Sequence, residues 1–202
     1  MNRGRSKRQR LLRLAVVIAA SGILAWLVYE LPRWASAHRS GSEAPSPSEL
    51  KSYEDAVAEL AVGNTEERVF GALDTFRAAG TKAFPILIAH TRDTAKASSQ
   101  FQHVVFDVHP DGESTFHAPT IGDACFDIIQ SQVEGQWQLK AYDQYHVLSP
   151  DTIKPWWESH KTKSLRELRL ESAQLSLEKA RRNSHANAIE FLTAHLQEVR
   201  QN

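Results

Sequence analysis

Five side chains between residues 103 and 117 have the chemistry of metal ligands. They are His103, Asp107, His109, Glu113 and His117. All have odd numbers, so in an extended ribbon they share one face. Imidazoles and carboxylates bind Zn²⁺ and similar metals, and neighbours across a hairpin are close enough to share an ion. The pattern predicts a metal or acid–base site, a solvated polar face, or a partner-contact face that protonates near pH 6. Metal analysis of the purified protein, with His109→Ala as the test variant, distinguishes the first from the others.

A β-hairpin inserted at residues 101–118 must position these side chains. Pro110-Asp111-Gly112 is a strong turn signal, because Pro restricts φ and Gly accepts the left-handed conformation. Apolar residues alternate along the first strand, and the register that follows from the turn places Phe106 opposite Phe116. An isolated hairpin is marginally stable, so its apolar face is predicted to pack on helices.

The sequence around the cysteine and the two adjacent tryptophans favours structural roles for these residues. Cys125 is the single cysteine, so no disulfide forms within the chain. It lies beside Phe126 in an apolar helical pattern, which is typical of a small buried hydrophobe. Trp156 and Trp157 point about 100° apart on a helix. One is expected in the core, and either could instead be an exposed anchor for a partner.

Motifs of common enzyme classes are absent from the sequence. It contains no G-x-S-x-G, no Gly-rich phosphate loop, no H-E-x-x-H and no paired C-x-x-C. We therefore predict that the protein is not an enzyme and needs no cofactor. The alternative is a small metal-binding or metal-dependent hydrolytic domain that uses the polar face of residues 101–118.

The net charge of zero conceals two oppositely charged parts. Residues 1–39 carry eight Lys and Arg against one Glu, whereas the other 163 residues carry 16 bases and 23 acids. Such asymmetry is typical of a targeting or interaction arm attached to a separate domain. An acidic domain binds nucleic acid poorly, so we exclude nucleic acid as a partner.

An apolar run at residues 14–31 predicts a transmembrane signal anchor. As a helix it would be about 27 Å long, close to the hydrocarbon thickness of a bilayer. Six basic residues precede it, so residues 1–13 are predicted to form a cytoplasmic arm and residues 36–202 to be extracytoplasmic. The alternative is a signal peptide cleaved after Ala37, which would release a secreted protein.

Beyond the apolar run the sequence predicts a linker and a mainly α domain. Residues 36–48 are small, polar and Pro-rich, typical of a linker. Helical periodicity predicts a helical domain at residues 49–202. The predicted helix N-caps are Ser48, Asn64 (with Glu67), Thr81, Ser149 (before Pro150) and Ser164 (with Glu167).

Two blocks of this domain resemble HEAT repeats. From Glu66 to Asp93, two helical patterns flank a Gly-containing turn, a Pro opens the second helix, and an Asp follows it. From Pro119 to Glu134 the chain resembles the first helix of another repeat, with Gly122 where the family usually has Arg. The block IGDACFDII at residues 121–129 and the Trp156-Trp157 pair are also similar to uncharacterised bacterial HEAT-like proteins. The likeness covers about 60 residues. It implies a helical-hairpin domain with a binding surface and implies no chemistry.

These features together predict a membrane-tethered, extracytoplasmic helical domain that serves as a protein-binding or scaffold module. Its expected partners are an envelope or membrane protein and, through residues 14–31, the lipid bilayer. A structural protein that self-associates is a further hypothesis. It rests on the narrow apolar seam of Ile189, Leu192, Leu196 and Val199, which suits one partner helix.

Overall fold

A computed structural model of the chain describes residues 44–98, 105–108, 114–135 and 144–201. All of them belong to residues 40–202, the second of the two units into which the chain divides. Within them the fold is mainly helical, as the sequence predicts. The predicted arm at 1–13 and membrane segment at 14–31 lie outside the described residues. No helix inside the described ranges is long and apolar enough to cross a bilayer.

Helices make up most of the described residues. The helices are α1 (Pro47–Glu59), α2 (Glu66–Ala79), α3 (Phe84–His90), α4 (Ile121–Val133), α5 (Ile153–His160), α6 (Leu165–Arg182) and α7 (Ala186–Gln201). A 3₁₀ turn, Gly80–Ala83, joins α2 to α3. Helix α1 packs on α2, α3 on α4, and α4 on α6, while α6 and α7 form the most extensive helix pair of the described residues.

Capping boxes begin several helices. Ser164 and Glu167 form the predicted box of α6. Thr120 and Asp123 begin α4 in the same way, with the Thr hydroxyl accepting from the Asp123 N–H and the Asp carboxylate accepting from the Thr120 N–H. In each box one side chain satisfies a backbone N–H that has no partner inside the helix.

The predicted N-cap of α1 is wrong by two residues. Ser46, not Ser48, caps the helix. Pro47 then occupies the first helical position, where its missing N–H costs nothing, and Glu49 closes a capping box with Ser46.

The predicted N-cap of α2 is wrong by one residue. The cap is Thr65, whose hydroxyl accepts from the Arg68 N–H. Asn64 serves the preceding helix instead, because its side-chain amide donates to the carbonyl oxygens of Ala58 and Glu59. A polar residue between two helices can cap the end of the first helix or the start of the second. The spacing of residues does not decide between these two roles.

Two further helix starts lie later than predicted. Thr81 belongs to the 3₁₀ turn, and α3 begins at Phe84. Ser149 begins a turn rather than a helix, because its carbonyl oxygen accepts from the Thr152 N–H at 3.1 Å. Helix α5 therefore starts at Ile153, with Thr152 as its cap.

A short antiparallel ribbon occupies part of the predicted hairpin. Strand β1 (Val105–Val108) pairs with β2 (Ser114–His117), and Phe106 lies opposite Phe116. This is the register that the sequence pattern predicts. Only the backbone of the two strands is described, so the expected packing of the hairpin on helices stays a prediction.

Two hydrophobic clusters form the core of the described residues. The first joins α1, α2, α3, α4 and α5 with the start of α6. The second joins α6 and α7 with Tyr145, which precedes α5. The most deeply buried large side chains of the first cluster include Phe76, Phe84, Leu87, Ile129 and Ile153.

The apolar seam of α7, which was predicted to bind a second copy of the chain, instead packs against another part of the same chain. Leu192 and Leu196 are buried in the second cluster together with Leu177 of α6. The self-association hypothesis is therefore wrong about this face, because the neighbouring helix already covers it. Sequence spacing predicts a narrow apolar stripe correctly, but it does not say which helix packs against the stripe.

Candidate functional site

The predicted metal ligands lie at the edge of the described region. His103, His109 and Glu113 lie outside it, and Asp107 and His117 are described by their backbone alone. Within the described ranges, no group of three or more His, Cys, Asp or Glu side chains could hold a metal ion. The metal site on the hairpin therefore stays a prediction.

The two predicted partner-binding tryptophans have different environments. Trp157 is 8% exposed and meets Phe84 edge to face, with ring centroids 5.3 Å apart. It is a core residue and offers a partner almost no surface, which corrects its assignment as an exposed anchor. Trp156 is half-buried and stacks on His160 at 4.9 Å. It remains a candidate with limited exposed surface.

Cys125 is a buried thiol, as its apolar surroundings predict. Burial raises its pKa to about 12, and the carboxylates of Asp93 and Glu54 contribute to the rise. A thiol that stays protonated at neutral pH is a poor nucleophile.

A buried carboxylate that the sequence analysis did not single out joins three parts of the fold. Glu134 follows α4, and its side chain has no exposed surface. Its Oε1 accepts hydrogen bonds from the N–H groups of Val147 (2.6 Å) and Leu148 (3.0 Å) and from the hydroxyl of Ser172 (3.1 Å). These three donors replace the water that the carboxylate loses on burial. We refer to residues 144–149 as the strap, since Glu134 fastens them to α4 and α6.

A histidine of the strap completes this arrangement. His146 Nδ1 lies 2.6 Å from Glu134 Oε2. The Lys179 ammonium group of α6 donates to the His146 carbonyl oxygen at 3.4 Å. A carboxylate can orient an imidazole for proton transfer, but here His146 is only 16% exposed and the chain itself supplies the surrounding groups. We therefore assign a structural role to Glu134, His146 and Ser172, which we call the Glu134 junction.

Helix α7 covers the junction with His195. A Cβ at Gly135, where φ is +80°, would lie 3.3 Å from His195 Cε1, so the close approach and the left-handed backbone both favour glycine. Burial lowers the pKa of His195, while the carboxylates of Glu198 and Glu134 and a backbone hydrogen bond at Glu134 oppose the change. His146 acts in the same direction as burial.

This lowered pKa predicts a loss of stability in acid. The unfolded chain binds the His195 proton near pH 6.5, and the folded chain binds it only at lower pH. The contribution of a neutral His195 is therefore complete above pH 6.5 and declines as the pH falls toward the folded-state pKa. Urea unfolding of the wild type and His195→Gln between pH 7.5 and 5 should show a flatter pH dependence for the variant. Parallel curves would contradict this assignment.

A sequence signal for Glu134 does exist. An acidic residue at the C-terminal end of a helix is unfavourable to the helix dipole. Glu134 lies there directly after the buried Val133. An unfavourable local position of this kind indicates a compensating tertiary contact.

A groove of about 290 Å³ lies between α1 and α2. Small residues line it: Ala56 and Ala72 are buried, and Gly71 is exposed. A Cβ built at Gly71 meets no atom within 4 Å. The groove therefore has open space directly above the α2 backbone, where a side chain from another molecule can enter. We call it the α1–α2 groove.

Charged residues flank this groove. Arg68 of α2 forms an ion pair with Glu59 of α1 across the helix pair. Asp55 lines the same groove and is exposed. Two carboxylates and one guanidinium therefore give the α1–α2 groove an acidic border.

Exposed apolar residues lie near the same helix pair in sequence. Val62 precedes α2 and is 63% exposed, and Phe70, beside Gly71 in α2, is 50% exposed. Leu175 of α6, at 39%, is the other large hydrophobic residue exposed in the part of the chain that the structure describes. Single exposed hydrophobics are common on proteins. Phe70 precedes Gly71 in sequence but does not line the α1–α2 groove.

Comparison of the chain with protein-family models, curated proteins and solved structures finds no match. The resemblance to HEAT repeats therefore stays a prediction that rests on the two sequence blocks. In the structure the first block spans α2, the 3₁₀ turn and α3, and the second contains α4.

Proposed function

We propose that the chain is a membrane-tethered, extracytoplasmic helical module that binds another protein, with HEAT-like helical hairpins as its framework. The apolar run at 14–31 and the basic residues before it support the tether and its orientation. The absence of common catalytic motifs from the sequence supports a binding role rather than catalysis.

The observation that carries the binding role is Phe70 of α2, a large aromatic side chain that is half-exposed. Aromatic residues at half-exposed positions are frequent anchors of protein interfaces. A partner that offers an apolar surface to Phe70 would remove its ring from water.

The rest of the described fold would act as a rigid support for this surface. Helix α1 packs on α2 and α3, and α2 packs on α4, so both walls of the groove adjoin the first hydrophobic cluster. A surface that is already ordered loses little conformational entropy when a partner binds. Recognition by this module would therefore require little rearrangement.

Site-specific photocrosslinking in intact cells tests this proposal. We expect a photoreactive residue at position 70 to form a discrete adduct with a partner protein. The same residue at position 175 is the matched control, since Leu175 is also an exposed apolar residue on a helix. The proposal is contradicted if position 70 yields no adduct, or if both positions yield the same adducts.

Metal binding or metal-dependent hydrolysis on the hairpin is the second candidate. The backbone register of β1 and β2 favours this second candidate. Asp107 of β1 pairs with Thr115, and His117 of β2 pairs with Val105. Two of the predicted ligands thus occupy diagonal positions two rungs apart on one ladder, with the Phe106–Phe116 pair between them. Stoichiometric transition metal in the purified protein would support this candidate, and its absence would exclude it.

A further inference from the structure

We propose that the Glu134 junction, together with His195 of α7, is a proton-sensitive joint. In mild acid the strap and α7 separate from the end of α4, while the first hydrophobic cluster stays folded. This change takes place inside the chain, so it does not require the partner binding proposed above.

A polar layer lies where the two hydrophobic clusters meet. On α6, the buried members of the first cluster end at Leu168 and those of the second begin at Ala173. Of the five buried polar residues in the described ranges, four lie at the end of α4 or in this part of α6: Gln132, Glu134, Ser172 and Ser176. On opening, hydrogen bonds in such a layer are exchanged for hydrogen bonds to water. The two clusters therefore separate most easily along this layer.

The strap crosses the polar layer and has one large side chain in each cluster. Tyr145 is buried in the second cluster and Leu148 in the first. Between them, the Glu134 carboxylate accepts hydrogen bonds from the N–H groups of Val147 and Leu148. Weakening of the contacts around Glu134 therefore loosens the connection between the clusters.

His195 attaches α7 to the same layer. Its ring lies against Gly135, directly after Glu134. The ring is also nearly parallel to that of Phe191, with centroids 6.5 Å apart, and Phe191 packs on the second cluster. A change in the charge of His195 therefore acts directly where α7 meets the end of α4.

The surroundings of His195 favour its neutral form in the closed joint. Burial lowers its pKa, and His146 of the strap acts in the same direction. The carboxylates of Glu198 on α7 and Glu134 after α4, and a hydrogen bond to the Glu134 backbone, oppose this shift without cancelling it. Opening returns His195 to water and to its usual pKa. The open form therefore binds the proton more tightly, and acid favours opening.

Amide hydrogen exchange of the full chain in nanodiscs, measured between pH 7.5 and 5, tests this proposal. After correction for the pH dependence of the intrinsic exchange rate, the Val147 and Leu148 amides should exchange about fivefold faster at pH 5. The amides of Phe76 and Ile129, in helices of the first cluster, should keep their corrected rates. Equal acceleration at all four amides would indicate global unfolding and contradict the proposal.

Two variants with opposite expected effects assign the response to His195. His195→Gln cannot take up the proton, so exchange of the strap amides should lose its pH dependence. Glu198→Gln removes a carboxylate that favours protonation in the closed joint, so it should make the pH dependence steeper. Glu198 is exposed, so its replacement should not disturb folding. His90→Gln is the control, because His90 on α3 contacts Glu54 rather than the junction.

The outcomes for the joint and for the binding surface are independent. Full pH dependence in a folded His195→Gln variant overturns the proposal. If His195→Gln does not fold, Glu198→Gln decides, since an unchanged or flatter pH dependence in that variant also overturns the proposal. Phe70 lies on α2, in the part that stays folded, so crosslinking at position 70 succeeds or fails whatever the joint does.

Discussion

Replacing Gly122 with Ala is expected to lower the free energy of unfolding by about 3 kcal/mol. A Cβ at this position would lie 2.7 Å from the Thr91 carbonyl oxygen, 2.9 Å from the Thr91 carbonyl carbon and 3.0 Å from the Asp93 carbonyl oxygen. All three are backbone atoms, so no flexible side chain can move aside. The Gly122 N–H also donates to the Asp93 oxygen at 2.9 Å, which keeps the start of α4 close to that loop.

Gly71→Ala is the matched control for this prediction. It is the same substitution inside a helix, but at a position where the added Cβ meets nothing within 4 Å. Removing a flexible glycine from an exposed helix should raise stability by about 0.5–1 kcal/mol. Urea unfolding of the two variants should therefore show shifts of opposite sign. Equal stability of Gly122→Ala and the wild type would show that α4 does not approach the Thr91 backbone this closely.

Removing the buried carboxylate of the Glu134 junction is expected to cost about 3–5 kcal/mol of stability. In Glu134→Ala, the N–H groups of Val147 and Leu148 lose their acceptor, and the hydroxyl of Ser172 loses the same oxygen. Buried donors without a partner are costly, and cavity formation adds to the loss. These donors lie in the strap and in α6, so the packing of the strap on α6 should weaken first.

Unfolding and amide hydrogen exchange together check this second prediction. Glu134→Ala should lower the unfolding midpoint and speed exchange at the Val147 and Leu148 amides. Glu134→Gln keeps one acceptor oxygen and should be intermediate. Glu158→Ala is the control, since Glu158 is an exposed carboxylate of α5 paired with Lys161, and no change is expected. If exchange at the Val147 and Leu148 amides is unaltered in Glu134→Ala, the carboxylate does not hold the strap in place.

Where α6 begins could be predicted because the relevant contacts are local. The Ser164 hydroxyl and the Glu167 carboxylate satisfy each other's backbone N–H groups within one turn. Spacing along the chain therefore contains the whole interaction. The deciding contacts at α1 are local too, because Pro47 at the first helical position and Glu49 at the third both favour Ser46 over Ser48 as the cap. The wrong cap was predicted there because these two signals were not used.

The register of β1 and β2 was also predictable, and for a related reason. The turn signal at residues 110–112 and the alternation of apolar residues permit one pairing that puts Phe106 opposite Phe116. The candidate binding surface was not predictable. Phe70 lies beside the buried Val69 in α2, yet it is half-exposed. Periodicity assigns a residue to a side of a helix, and the packing of neighbouring helices decides how far round that helix the core extends.

The sequence by itself determined the mainly helical class, the start of α6, the register of β1 and β2 and the division of charge along the chain. Each follows from residues a few positions apart or from composition. The tertiary structure decided the rest. Glycine fits position 122 because a backbone about 30 residues away approaches it, and Glu134 is buried among donors that lie 13 to 38 residues away. Contacts over such separations depend on how the helices pack, which no local pattern encodes.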